Sequence, residues 1–110
     1  METSTQVYQR VAVLSVKGRV DSTSASDLEA ALKKLLDEGR TNLVLDLSGV
    51  EFLSSSGLRV LVTTLKAVRK SAGDLRLAQL SQRASDAIDL AGLDVLFKTY
   101  EDREAAVASF

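Results

Sequence analysis

The 110-residue chain contains no cysteine, no histidine and no proline. Without cysteine it can form no disulfide and offers no thiolate to a metal ion. Without histidine it also lacks the commonest general base and the commonest metal ligand. We therefore expect no catalytic residues, no metal site, no cofactor and no enzymatic activity.

The chain also lacks an excess of charge of either sign, since it has 14 basic and 15 acidic residues and a net charge of -1. Such a chain has no basic surface to collect phosphates, so we expect no binding to nucleic acid. No apolar run approaches the ~18 residues of a membrane span. The polar first ten residues lack the apolar centre of a secretion signal. We expect a cytoplasmic protein with no membrane insertion.

What is present is typical of a folded globular chain. Apolar residues make up 45% of the sequence and charged residues 26%. The length is that of one domain with one core, and no repeat, linker or low-complexity run divides it. We expect a single domain over residues 1–110.

Short β-branched runs alternate with segments of helical periodicity along the whole chain. Strands are predicted at residues 11–16, 42–47, 75–78 and 95–100, with a weaker one at 6–10. Helices are predicted from Ser24 or Ser26 to Gly39, from Leu58 to Gly73, and at residues 81–91 and 101–110. This alternation predicts an α/β fold with a mixed sheet of four or five strands flanked by about four helices.

Three serines followed by a glycine, Ser54 to Gly57, stand where a strand and loop meet a long helix. A helix start exposes N–H groups without internal partners, so a serine can cap it and a phosphate can be held there. One serine would suffice as a cap. Two interpretations stay open: a polar cap and turn, or a site of modification.

The run from Asp46 to Leu61 resembles the core signature of STAS-domain anti-sigma factor antagonists, also called anti-anti-sigma factors. In that family the pattern D-L-S/D-x-V-x-F-(M/I/L)-D/S-S-S/T/A-G-L joins the second main strand to the helix that carries the phosphorylation site. Upstream, Gly18-Arg19-Val20-Asp21 resembles the family's G-x-(L/V/I)-D. The order of strands and helices also agrees, so the resemblance covers essentially the full length and implies the STAS fold.

The resemblance implies that Ser55 is the phosphorylated residue, with Ser56 and Ser54 as alternates. Asp21 matches an aspartate near that site, although helix capping or a turn would also explain it. Ser54 departs from the family, which often has aspartate there. The surface expected to contact a partner consists of Arg19, Asp21, Ser22, Thr23, Ser54, Ser56, Gly57, Leu58 and Arg59.

The resemblance also implies the partners. The unphosphorylated protein would bind an anti-sigma factor with serine kinase activity, phosphorylation of Ser55 would release it, and a serine phosphatase would reset the cycle. One alternative is a STAS subunit of a membrane lipid ABC transporter that binds its ATPase without phosphorylation. Another is a similar cascade whose output is not a sigma factor. Neither a G-x-S-x-G turn nor a phosphate-binding loop is present, so Ser55 is better interpreted as a substrate than as a nucleophile.

Overall fold

The computed structural model describes all 110 residues and contains five strands and four helices. In chain order these are β1 (Glu2–Tyr8), β2 (Val11–Val20), α1 (Ala25–Asp37), β3 (Asn42–Leu53), α2 (Ser55–Lys70), β4 (Asp74–Ala78), α3 (Gln82–Leu90), β5 (Thr99–Tyr100) and α4 (Arg103–Ala108). The prediction of an α/β fold with four or five strands and about four helices is confirmed.

The strands form one mixed sheet in the order β1-β2-β3-β4-β5. Strand β1 is antiparallel to β2, and the remaining neighbours are parallel. Strands β2 and β3 are longer than predicted and stay paired up to Val20 and Leu53, whereas the pairing of β3 with β4 ends at Asp46. The last part of the β2–β3 pair therefore extends beyond the rest of the sheet and carries the β3–α2 junction with it.

The main core lies between one face of the sheet and helices α1, α2 and α3. It includes the fully buried Leu14 of β2, Leu32 of α1, Leu45 of β3 and Leu61 of α2. Burying such side chains removes apolar surface from water, which is the dominant stabilising contribution to folding. The core thereby fixes α2, and with it the serine run, against the sheet.

A smaller core on the opposite face is covered by α4, whose Ala106 packs with Val13 and Val44. A polar cluster ties this helix to the sheet. The Arg103 Nε donates to Asp46 Oδ2 at 2.6 Å, and Arg103 also donates to the Ser15 hydroxyl. Burial would raise the pKa of the Asp46 carboxyl, but hydrogen bonds from the Ser48 amide and from Arg103 hold it below the usual range.

Several local predictions differ from the structure. The weaker strand predicted at residues 6–10 lies at Glu2–Tyr8, and the last helix spans Arg103–Ala108 rather than residues 101–110. Strand β5 spans only Thr99–Tyr100 rather than residues 95–100, and Val95 is 83% exposed. Helix α1 has Ser24, one of the two predicted start residues, as its N-cap, yet the Ser24 side chain makes no cap hydrogen bond. Its hydroxyl donates to the Arg19 carbonyl at 2.8 Å instead. The hydroxyl oxygen accepts from the Asp21 amide at 2.9 Å, so it is engaged outside the helix and not by an amide of its first turn.

The longest helix, α2, has 16 residues. None of the four helices combines the length and the apolar character that crossing a membrane requires.

Candidate functional site

Ser54 joins the sheet to helix α2. Its backbone N–H donates to the Val20 carbonyl at 2.8 Å, which continues the β2–β3 ladder by one hydrogen bond. Its side-chain hydroxyl accepts from the Gly57 amide at 3.2 Å and so caps the helix. The cap and polar-turn interpretation of the serine run therefore holds for Ser54.

Helix α2 begins at Ser55, whereas the apolar helical pattern in the sequence begins at Leu58. The Ser55 side chain is exposed, and that of Ser56 is half-buried. The amides of these two residues lie in the first turn, where no carbonyl of the same helix can accept from them. Together with the partial positive charge of a helix N-terminus, they form an environment that favours an anionic group on Ser55.

Gly57 lets the first turn of α2 lie directly on the sheet. A β-carbon at this position would stand 2.7 Å from Val20 Cγ1 and 2.8 Å from Leu53 Cδ1, which is closer than such atoms approach. A glycine permits either a tight turn or a close approach of another segment, and the structure shows the close approach. The glycine thus sets the distance between the serines and the ends of β2 and β3.

Asp21 directly follows β2, so it lies at the same edge of the sheet as the serine run. Its Oδ1 accepts from the Thr23 hydroxyl at 2.7 Å and from the amides of Thr23 and Ser24, each at 3.0 Å. The bond from the Thr23 hydroxyl is the largest of the effects that lower the Asp21 pKa to about 2. The turn role considered for this residue is therefore present, and it holds a negative charge beside the junction.

The two predicted segments, residues 19–23 and 54–59, come together where β2 and β3 end. Their side chains differ in access. Those of Arg19, Ser22, Thr23, Ser55 and Arg59 are exposed, those of Asp21, Ser54 and Ser56 are half-buried, and Gly57 and Leu58 are buried. The last two therefore shape the site more than they present side chains to solvent. No group of three or more acidic side chains is placed to hold a metal ion.

An apolar groove adjoins the junction and was not predicted. It has a volume of about 520 Å³ and lies between the start of α2 and α3. Phe52 and Leu58 line one side, and Leu90 lines the other. Leu90 is 89% exposed, a high value for so large an apolar side chain. The sequence offered one signal, because Leu90 does not share the inward face of α3 with Ala84 and Ile88.

The Phe52 ring also forms a cation–π pair with Arg19. The Arg19 guanidinium lies 4.5 Å from the ring centroid, as expected for a cation–π pair between register partners on β2 and β3. An aromatic ring, an arginine and an exposed leucine therefore lie at or beside the β3–α2 junction. Aromatic residues and arginine are also the types enriched at protein–protein interfaces.

Comparison with known proteins agrees with this geometry. The STAS domain family matches residues 2–106. The chain is 38% identical over 95 residues to the anti-sigma-F factor antagonist RsfB of Mycobacterium tuberculosis, covering 84% of this chain and 75% of RsfB. It is 36% identical over 80 residues to the anti-sigma-B factor antagonist of Bacillus subtilis, covering 73% and 72%.

The fold agrees as well. The crystal structure of an anti-sigma factor antagonist from Mycobacterium paratuberculosis superposes with a TM-score of 0.88 at 32% identity, covering 98% of this chain and 92% of that one. Sequence, element order and the serine-bearing junction point in the same direction. The chain belongs to the STAS-domain family of anti-sigma factor antagonists.

Proposed function

We propose that this protein is an anti-sigma factor antagonist in a cytoplasmic partner-switching cascade. Its unphosphorylated form binds an anti-sigma factor with serine kinase activity, phosphorylation of Ser55 ends that binding, and a serine phosphatase restores the unphosphorylated form. The protein acts by binding and not by catalysis. The observation that carries the proposal is the exposed Ser55 hydroxyl in the first turn of α2, at the edge of the sheet that also holds the charged Asp21.

The three serines are not equivalent as kinase substrates. The Ser54 hydroxyl already accepts the Gly57 amide, and the Ser56 side chain is half-buried. Ser55 alone of the three is exposed. A kinase must bring the acceptor oxygen in line with the γ-phosphate, which requires open space around that oxygen. This supports Ser55 as the acceptor.

The charge on the phosphate explains how phosphorylation would end binding to the partner. A phosphoserine brings about -1.5 to -2 charges at neutral pH. At a helix N-terminus this charge is stabilised by ~0.3–1 kcal/mol, so the modified protein keeps its fold. The cost arises in the complex, where the phosphate and the neighbouring Asp21 carboxylate would lose water and stand against the partner's surface.

The apolar groove supplies binding energy next to this switch. A partner side chain placed between Phe52 and Leu90 would bury apolar surface, while Arg19, Asp21 and Arg59 would form a polar rim. Interfaces commonly have this arrangement, with a desolvated apolar centre and a solvated edge. Leu53 and Leu58 line the groove and flank Ser55 in the chain, so we expect the phosphate to lie at the rim of the contact.

The transporter alternative has no comparable support. The relatives described above are anti-sigma factor antagonists, and no observation favours an ABC transporter subunit.

Mass spectrometry tests the phosphorylation. Protein purified from its own host is analysed by intact mass and fragment ions, with Ser55→Ala and Ser56→Ala as matched variants. We expect one phosphate, on Ser55, absent from Ser55→Ala and retained in Ser56→Ala. An unmodified protein under all growth conditions, or a phosphate that remains in Ser55→Ala, would contradict the proposal.

A pull-down with titration tests the partner and the groove. The unmodified protein should recover an anti-sigma factor kinase, and phosphoserine at position 55 should weaken that binding at least about tenfold, or about 1.4 kcal/mol. Leu90→Ser should weaken it as well. Val95→Ser changes an equally exposed apolar side chain outside the groove and should leave the affinity unchanged. Recovery of a transporter ATPase would overturn the assignment.

A further inference from the structure

Strand β1 forms one edge of the sheet and is exposed along its whole length. Its only neighbour is β2, and each of its seven residues is exposed, whichever face of the sheet the side chain points to. The pairing with β2 is regular, from Glu2 opposite Lys17 to Tyr8 opposite Val11. One side of this regularly paired strand therefore has no neighbouring strand.

The hairpin identifies the backbone groups that point outward. A two-residue loop, Gln9 and Arg10, connects β1 to β2, so its flanking residues Tyr8 and Val11 form a hydrogen-bonded pair. Hydrogen-bonded and non-bonded positions alternate along an antiparallel ladder. The N–H and C=O groups of Thr3, Thr5 and Val7 therefore point away from β2.

The features that usually protect an edge strand are missing from β1. Natural sheets blunt such edges with lysine, proline, bulges or a covering element. The strand ETSTQVY has a single charge, Glu2, and no proline. Both irregularities of β2 occur in its pairing with β3, and none occurs in its pairing with β1. Helix α4 contacts the strand through the Arg103–Gln6 hydrogen bond but leaves all seven residues exposed.

We propose that β1 is a self-association edge that pairs antiparallel with β1 of a second copy of this chain, about a two-fold axis at Thr5. In this register Thr5 faces its own counterpart, Thr3 faces the second copy's Val7, and the outward groups form about six backbone hydrogen bonds. Glu2 faces the second copy's Tyr8, so the only charges on the strand never oppose each other. Thr–Thr and Thr–Val pairs are favourable cross-strand neighbours.

The second copy fits better than an unrelated strand because the sequence of β1 is self-complementary in this register. The two five-stranded sheets would become one continuous sheet. The serine-bearing ends of β2 and β3 are not part of the edge, so the dimer would present two free Ser55 sites. The contact involves only two short strands, so we expect the dimer to depend on concentration.

Sedimentation velocity over micromolar to millimolar concentrations tests the edge. The unmodified chain should pass from monomer to dimer. Thr5→Lys would place two lysines directly opposite across the axis and should raise the dissociation constant at least about tenfold, because like charges in that position repel. Thr5→Val keeps the shape and β-propensity of the residue and should preserve the dimer. Thr5 is exposed, so both variants should fold, which their melting curves would verify.

A filtered NOE experiment on a mixture of labelled and unlabelled chains locates the contact. Non-bonded pairs in an antiparallel ladder bring their α-carbons to about 4.5 Å, so we expect intermolecular NOEs between Ser4 and Gln6. A chain that stays monomeric to millimolar concentration would overturn the proposal. So would a dimer that shows NOEs from another surface, or one that Thr5→Lys leaves unchanged.

Discussion

At the scale of single residues, Ser54 both ends a ladder and starts a helix. Its amide donates to the Val20 carbonyl in the sheet, and its hydroxyl accepts from the Gly57 amide in the helix. Only the second interaction depends on the side chain. Ser54→Ala removes the hydrogen bond to the Gly57 amide. We expect the free energy of unfolding to fall by about 1 kcal/mol, as for other N-cap serines. Urea denaturation followed by circular dichroism measures it.

The matched control is Ser56→Ala in the same helical turn. The Ser56 side chain caps nothing, and alanine is the better helix former, so this variant should be neutral or slightly stabilising. Equal losses in the two variants would show that the Ser54 cap contributes nothing.

Asp21 gives the site a pH dependence. Its pKa is lowered from the ordinary 3.8 to about 2, so the folded chain holds this proton less readily than the unfolded chain. The stability that this carboxylate contributes is therefore complete above about pH 4 and is lost as the pH falls toward 2. At neutral pH the group is fully charged, as its proposed role beside phosphoserine requires.

The Thr23 hydroxyl is the largest contributor to the lowered Asp21 pKa. Thr23→Val keeps the size of the side chain and removes the hydroxyl donor, so the Asp21 pKa should rise toward its ordinary value. Carboxyl ¹³C shifts followed from pH 1.5 to 6 measure it. Thr63→Val, on the exposed face of α2, should leave the Asp21 titration where it is. An unshifted Asp21 in Thr23→Val would contradict this account.

At the scale of elements, the sequence predicts what depends on local pattern. The largely apolar run at residues 42–47 predicted the first half of β3. The second half was missed because Ser48-Gly49 is typical of a turn. In the structure Gly49 pairs with Lys17 of β2, and a β-carbon there would lie 2.5 Å from Lys17 Cγ. Pairing between distant segments overrides the local preference, and one sequence alone does not reveal it.

The sequence likewise predicted only those parts of the candidate site that depend on local pattern. The motif predicted the serine run and the aspartate, and the structure brings them to one edge of the sheet. The groove was missed because Phe52 and Leu90 are 38 positions apart in sequence and become neighbours only through packing of α3 beside β3. A motif of residues adjacent in sequence can thus be predicted, whereas a groove formed by residues from separate helices and strands cannot.

Helix α4 is held to the sheet by a partly buried ion pair. Arg103→Met would leave the Asp46 carboxylate, which is only 2% exposed, without its cation. The Ser48 amide and the Gln79 side chain still donate to it. We expect a loss of about 2 kcal/mol in the free energy of unfolding, measured by urea denaturation.

The control for this pair is the double variant Asp46→Asn with Arg103→Met. Removing the carboxylate's charge removes the penalty for its isolation, so the double variant should be more stable than Arg103→Met alone. If the double variant instead loses the sum of both single changes, the two residues do not interact energetically.

At the scale of the whole molecule, phosphorylation should leave the fold intact. Phosphoserine at position 55 lies at the N-terminus of α2, so the melting temperature should stay unchanged or rise by up to about 6 °C. Genetically encoded phosphoserine and scanning calorimetry test this. The matched position is Ser71, the exposed C-cap of the same helix, where the same charge should lower the melting temperature. A clear fall with phosphoserine at position 55 would contradict a switch that acts only in the complex.

The sharing of Ser54 between sheet and helix also limits how this protein can vary in evolution. No spare residue separates the last ladder bond of β3 from the first turn of α2. One inserted residue would rotate the helix by about 100° about its axis and change the direction in which the Ser55 hydroxyl points. Insertions and deletions should therefore occur in the turns after α1 and α3 and be absent between Leu53 and Gly57. The length of this junction sets the orientation of α2 against the sheet.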